Sequence, residues 1–402
     1  MGSGKVHDRA FFSNPDGANV ISKTIYNRAS WSVVAAACML AACGGGGSDT
    51  TPAAPVTSVK VMGDSLADSG TFGFKFTVQG TAATGAGSSQ IWPDRVASNY
   101  NQTLCAHYLF NGSSFNTSAS CTNYAVAGSR INNPTAPNAP TSILQQIKDA
   151  GSAGFSAGDL VLIDGGGNDA ADIIGAYLRV SRDGGAAYRT LLLTQLDAAT
   201  VSSAFAGGAT GLAQVGGLYM QAVATQFAAT IRSNVLDKGA KRVAVLNAPG
   251  VTLTPRFRFV LAGVAAANGS AAATQAAAVF DGWVQAFNAK LGASLSGDSR
   301  LTVVDFYTNF KDQAVNPAQY QLTNVTTPAC PVAGTDSDGL PTYNFPTCTA
   351  AALSATTPPA GSTGGADWWK SYGFADSFHP TPYGHQLIGQ LVARSLAQAG
   401  WL

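Results

Sequence analysis

Charge is in short supply in this chain. Only 11% of its 402 residues are Asp, Glu, Lys or Arg, and 23 basic against 22 acidic side chains leave a formal charge of +1. Without a basic excess there is no electrostatic footprint for a phosphate backbone, so a nucleic-acid partner is not expected. Histidine is scarce as well, with four in the whole chain. The six cysteines include no C-x-x-C pair and have no histidine cluster nearby, which argues against zinc. A phosphate-binding loop is missing, and "GGG" at 165–167 lacks the spacing of a dinucleotide fingerprint. The expectation is a protein with no metal and no nucleotide or other cofactor.

Long apolar runs are also missing. The stretch "WSVVAAACMLAA" at 31–42 falls short of the roughly 20 residues that a spanning helix needs. It follows Lys23 and Arg28, the basic-then-apolar order of a secretory leader. The run ends "LAAC" at Leu40 to Cys43, followed by "GGGGSD", which resembles a bacterial lipobox with a flexible tether behind it. That resemblance implies cleavage before Cys43, lipidation of that residue, and a membrane partner reached through the N-terminal lipid anchor. The alternative is an ordinary signal peptide cleaved near an alanine, giving a secreted protein. The expected organisation is a leader at 1–42, a tether at 43–57 and one domain at 58–402.

Export also orders the cysteines. With Cys38 and Cys43 in the leader region, Cys105, Cys121, Cys330 and Cys348 remain, an even number suited to two disulfides in an oxidising compartment. Three connectivities are possible, and proximity favours Cys105 with Cys121 and Cys330 with Cys348.

What the chain has in quantity is short apolar runs ending in turn residues: "SVKVMGD" (58–64), "NYAVAG" (123–128), "DLVLIDGGG" (159–167), "RVAVLNAPG" (242–250) and "LTVVDFY" (301–307). Helical patterns lie between them at 141–150, 215–239, 271–293 and 381–398. Strands alternating with helices predict an α/β fold with a doubly wound, mainly parallel sheet of about five strands and helices on both faces. Ligands are then expected at the carboxyl ends of the strands. Inserts at 170–213 and 316–366 break the alternation, and such excursions often carry substrate contacts.

Ser65, in the turn after the first run, is a candidate nucleophile, but a serine hydroxyl needs a base to take its proton. His7 precedes the cleavage site. His107 lies between cysteines in an irregular stretch, and His385 falls inside the last helix as a packing or capping residue. His379 stands in "DSFHPTPYGHQ", three residues after Asp376, close enough for a carboxylate to turn back and hold one imidazole nitrogen. Pro380 after it suits the start of a helix. "GFSAG" at 154–158 matches a nucleophile elbow, but that elbow needs a strand before its serine and a helix after, and here the order is reversed, so Ser156 is a loop serine.

The blocks "GDSL" (63–66), "NYAVAGS" (123–129), "GGND" (166–169) and "DSFHP" (376–380) occur in the order found in GDSL, or SGNH, hydrolases, which this chain resembles. "IWPDRVA" (91–97) and "NAPGVTLTP" (247–255) add to the likeness. The resemblance implies a flavodoxin-like SGNH fold and cleavage of carboxylic esters through an acyl-enzyme. It also implies Ser65 as nucleophile, His379 as general base and acid, and Asp376 as the residue orienting it. An oxyanion hole would be formed by Ser65, Gly128 and Asn168, with Asp169 orienting the Asn168 loop and standing second to Asp376 as the acid. Members reading "GDSLSDxGN" have Asn where this chain has Thr71. The expected partner is an ester or lipid substrate. A long-chain lipase or phospholipase and a polysaccharide acetylesterase are alternatives, and a non-catalytic binding lipoprotein is the reading from another class.

Overall fold

The computed structural model describes residues 54–80 and 89–402; the expected leader, Cys43 and most of the tether lie outside them. Four apolar runs form a parallel sheet in the order β1 (Ser58–Met62), β2 (Asp159–Ile163), β3 (Val243–Leu246) and β4 (Leu301–Val304). Because successive side chains on a strand point to opposite faces, a run that is apolar throughout must be covered on both. Val59, Val61, Leu160 and Leu162 accordingly pack into one core, and Met62, Val161, Ile163 and Val245 into another.

The main helices are α1 (Trp92–Ser98), α2 (Ile143–Ala153), α3 (Gly167–Leu178), α4 (Gly208–Ile231), α5 (Pro255–Asn268), α6 (Ser270–Leu295), α7 (Phe306–Val315) and α8 (Pro382–Gln398). α1 and α8 cover the first face through Trp92, Val96, Ile388 and Val392. The second and larger core is built by α2, α3, α4 and α6, through side chains such as Ile147, Ile173, Phe227 and Phe287. This is a doubly wound α/β fold. Among the described residues no helix is long and apolar enough to cross a membrane.

Of about five expected strands, the run 123–128 is not a regular one. It lies alongside β1, with Tyr124 N–H donating to Val61 O at 2.7 Å and Val126 N–H to Gly63 O at 3.3 Å, but pairs only at the bridge of Val61 with Asn123. Asn123 turns its side-chain amide onto Ala67 O and Ser69 Oγ, and its carbonyl oxygen takes Ala125 N–H, which curls the chain out of a ladder. With this segment beside β1, the spatial order is 2-1-3-4-5 and the winding reverses between β1 and β2, where a ligand crevice is expected.

The 170–213 stretch is largely helical, passing through α3 and short helices at Val180–Asp183, Ala186–Leu192 and Ala198–Ala206 into α4. The 316–366 stretch contains a hairpin of Val332–Thr335 with Pro341–Tyr343, closed at its base by the Cys330–Cys348 disulfide. The second disulfide joins Cys105 to Cys121 around another small hairpin. Both pairings are those that proximity favours, and two disulfides suggest an exported protein.

Candidate active site

Ser65 sits in the turn that leaves β1, at the reversal of the winding. Its neighbours hold that turn rigid: Asp64 Oδ1 accepts from Leu66 N–H at 3.0 Å, and Asp64 N–H donates to Asp164 Oδ1 at 3.1 Å. Asp164 ends the run of β2, so the two strand ends are tied at the point where the crevice opens. Burial raises the pKa of both carboxyls, and for Asp164 the charge of Asp64 raises it further.

The loop carrying His379 explains the three-residue spacing. Asp376 Oδ1 accepts the backbone N–H groups of Phe378 at 2.7 Å and His379 at 2.5 Å, which folds the loop back on itself. Asp376 Oδ2 is thereby brought 2.8 Å from His379 Nδ1, and His379 Nε2 lies 2.7 Å from Ser65 Oγ. Burial raises the Asp376 pKa, but the imidazole of His379 and the N–H donors outweigh it and hold the carboxyl below its ordinary value. Residues separated by more than three hundred positions thus form one hydrogen-bonded chain. The helix after this loop begins one residue later than the expected 381: Pro382 occupies its first turn, Pro380 stands outside it, and Thr381 caps it by accepting Gly384 N–H at 3.1 Å. Pro380 O instead accepts from Thr77 Oγ at 2.8 Å, anchoring the loop.

Gly128 and Asn168 line the same cleft as Ser65 and His379, a space of about 670 Å³. Gly128 has φ of 77°, a left-handed conformation that glycine adopts without a Cβ penalty. Asn168 stands in the first turn of α3 and donates one amide hydrogen to Ser129 O at 2.9 Å. A carboxamide has two such hydrogens, and among the described residues only the bond to Ser129 O is made.

Three buried side chains fix the Gly128 loop. Asp169 accepts from Ile131 N–H at 3.0 Å and Asn132 N–H at 2.7 Å, and is not bonded to His379. Burial, only partly offset by these donors, pushes the Asp169 pKa up to about 7. Asp68, three residues after Ser65, accepts from Ala127 N–H at 2.8 Å and from Thr71 N–H at 2.7 Å. Gln146 of α2 accepts Gly63 N–H at 2.8 Å and donates to Ser129 Oγ at 2.9 Å, linking the serine turn to the glycine loop.

The remaining candidates stand apart. Ser156 lies in the loop between α2 and β2, with its N–H donating to Asp159. His107 stacks on Tyr124 with ring centres 4.1 Å apart. His385 is wholly buried in α8, where desolvation lowers its pKa well below the usual value and keeps the ring neutral. Thr71, in place of the family's Asn, bonds through its hydroxyl to Ala125 O at 3.3 Å.

Sequence reasoning missed the aromatic wall. Phe76, Phe345 and Phe378 surround the His379 ring at centre distances of 5.2, 5.6 and 5.8 Å. Phe345 comes from the 316–366 insert, and the alternation in "FGFKF" at 72–76 is a signal for Phe76. Arg256, at the start of α5, also lines the cleft and was not singled out.

A serine hydroxyl bonded to an imidazole, itself bonded to a buried carboxylate, at the strand ends of a doubly wound sheet, has the parts that acyl transfer to a serine requires. Fold and site together define a hydrolase built on a doubly wound parallel sheet. The model of the GDSL-like lipase/acylhydrolase family matches residues 59–392, and the chain belongs to that family. It is therefore a hydrolase of carboxylic esters. No curated protein matches the chain.

Proposed function

We propose that the protein cleaves carboxylic esters through a covalent acyl-enzyme formed on Ser65. His379 Nε2 takes the hydroxyl proton as Oγ attacks the acyl carbon, and Asp376 stabilises the imidazolium that results. The oxyanion of the tetrahedral intermediate is met by the N–H groups of Ser65 and Gly128 and by Asn168 Nδ2. Collapse breaks the bond to the alcohol oxygen, which receives the proton from His379. Water then enters, gives a proton to His379, attacks the acyl carbon and releases the acid, and the proton returns to Ser65 Oγ. The observation carrying this reading is the 2.7 Å contact between His379 Nε2 and Ser65 Oγ.

The same reading takes the chain as an exported protein with a leader at 1–42, a lipid anchor on Cys43, a tether to residue 57 and a single hydrolase domain after it. Palmitate labelling that is abolished by Cys43→Ser supports the anchor; label that persists in that variant sinks it.

Ser65→Ala is expected to remove hydrolysis of p-nitrophenyl acetate, lowering kcat by about 10⁶-fold as for loss of a serine nucleophile elsewhere, with an unchanged circular dichroism spectrum. Activity close to wild type in that variant would rule out Ser65 as nucleophile.

A further inference from the structure

A groove of about 340 Å³, sharing no lining residue with the catalytic cleft, lies between α7, the tight turn Pro317–Tyr320 that opens the 316–366 insert, and α8. Its polar groups are nearly all of one kind. Five of the chain's 17 glutamines line it, Gln313, Gln319, Gln321, Gln386 and Gln390, and Asn309 adds a sixth carboxamide. Asn309 and Gln313 stand four apart on α7, and Gln386 and Gln390 four apart on α8, so each pair shares a helix face. Leu387 is the only aliphatic residue in the wall, and Arg394 the only charged one.

Helix propensity accounts for glutamine on α7 and α8, but not at 319 and 321. Gln319 belongs to the tight turn, and Gln321, which ends it, has φ of 56°. Among the described residues only one other non-glycine residue, Asn101, adopts that left-handed conformation. A bond from Leu322 N–H to Pro317 O at 2.9 Å closes the turn. The two tyrosines of the wall stiffen the frame: Tyr383 OH donates to Tyr320 O at 2.9 Å, tying α8 to the turn, and Tyr320 OH donates to Asp312. Gln313 Nε2 donates to Asn309 Oδ1 at 2.7 Å. Gln319, Gln321 and Gln390 are exposed, and among the described residues their carboxamides bond to no protein group. A braced wall thus presents three open carboxamides.

A carboxamide donates and accepts at once, as a hydroxyl does. Neighbouring hydroxyls on a sugar ring match that double character, and the C–H face of the ring suits the π-face of a tyrosine. Other ligand classes match the wall less well. An alkyl chain would cover the carboxamides without pairing them, which costs free energy. A polyanion would meet a single cation, and no carboxylate, histidine or cysteine lines the groove to hold a metal ion. We propose that the groove binds a run of neutral pyranose rings in a polysaccharide. It thereby holds the protein against a carbohydrate matrix, at a site separate from Ser65.

Affinity electrophoresis of the whole chain tests this, in gels containing soluble arabinoxylan, galactomannan, hydroxyethyl cellulose or dextran. At least one of these polymers should retard the wild type, and Ser65→Ala should be retarded equally. Gln319→Ala/Gln390→Ala removes two exposed side chains outside the catalytic cleft. It should weaken binding by about tenfold, as loss of two hydrogen bonds does. Cleavage of p-nitrophenyl acetate and the circular dichroism spectrum should stay unchanged in that variant. Retardation by none of the polymers, or equal retardation of the wild type and the double glutamine variant, overturns the proposal. Acetate cleavage by Ser65→Ala bears only on the nucleophile and leaves the groove as it stands.

Discussion

The carboxylate of Asp164 fills the space that a side chain on Gly63 would need: a Cβ built there lies 1.5 Å from Asp164 Oδ1. Gly63 is thus required for room and not for an unusual backbone angle, and the carboxylate that excludes a side chain also receives Asp64 N–H at 3.1 Å. Alanine at 63 must push the serine turn away from Asp164 and shift Ser65 relative to His379. Misplacement of about 1 Å costs on the order of 10²-fold in rate. Gly63→Ala is expected to lower kcat by about that factor and to destabilise by about 1–3 kcal/mol, as overpacking does. Steady-state kinetics and urea unfolding read both, and an alanine variant with unaltered kcat would show that the turn tolerates movement.

Asn168 offers a separate check on the proposed oxyanion hole. Loss of one such donor typically costs about 10²–10³ in kcat, because the bond is made to charge that exists only in the transition state. Asn168→Ala is expected to show that loss with little change in KM. A rise in KM at constant kcat would mean that the amide serves only to hold Ser129.

Much of the scaffold was legible because it depends on local chemistry. The strands are apolar runs ended by turn residues, and the Gly-Asp after β1 and the Asp-Gly-Gly after β2 place Ser65 and Asn168 at neighbouring strand ends. Asp376 and His379 were legible because a carboxylate three residues before a ring can fold the loop and hold the ring at once. The run 123–128 misled because Asn123 spends its amide on Ala67 and Ser69, a contact 54–56 positions away that no periodicity records. Phe345 escaped for a like reason. It reaches His379 from an insert whose packing depends on Trp368, Trp369 and Tyr372, all distant from it in sequence. Arg256 carries no motif, and only the meeting of α5 with the His379 loop brings it to the cleft.

Asp169 ties stability to pH with a sign opposite to that of a salt-bridged carboxylate. Its folded pKa, about 7, lies above the ordinary value near 3.8, so the native state binds the proton more tightly than the unfolded chain. Its contribution is fully present below about pH 4 and is lost as pH rises to 7, by about 4 kcal/mol at most. Asp376, held below its ordinary value, runs the other way: its contribution is present at neutral pH and is lost as pH falls through its folded pKa. Urea unfolding of wild type and Asp169→Asn between pH 4 and pH 7 should show wild type losing stability relative to the variant as pH increases. Parallel curves would remove Asp169 as the titrating group.

The Cys330–Cys348 disulfide joins positions 18 residues apart at the base of the segment that supplies Tyr343 and Phe345 to the cleft. Both cysteines are buried in a small core with Phe345, Leu353 and Trp368, and the rings of Phe74 and Phe76 pack against it. A loop of about that length loses about 3 kcal/mol when its cross-link is removed. Cys330→Ala/Cys348→Ala is therefore expected to unfold at lower urea and to bind esters less tightly. KM should rise severalfold and kcat change less, since Ser65, His379 and Asp376 hold each other through bonds that do not involve the insert. The double variant lacking Cys105 and Cys121 should lose stability by a comparable amount and keep its KM, because the Gly128 loop is fixed independently by Asp68, Gln146 and Asp169. If both double variants raise KM equally, the effect belongs to general loosening and not to the aromatic wall that Phe345 builds beside His379.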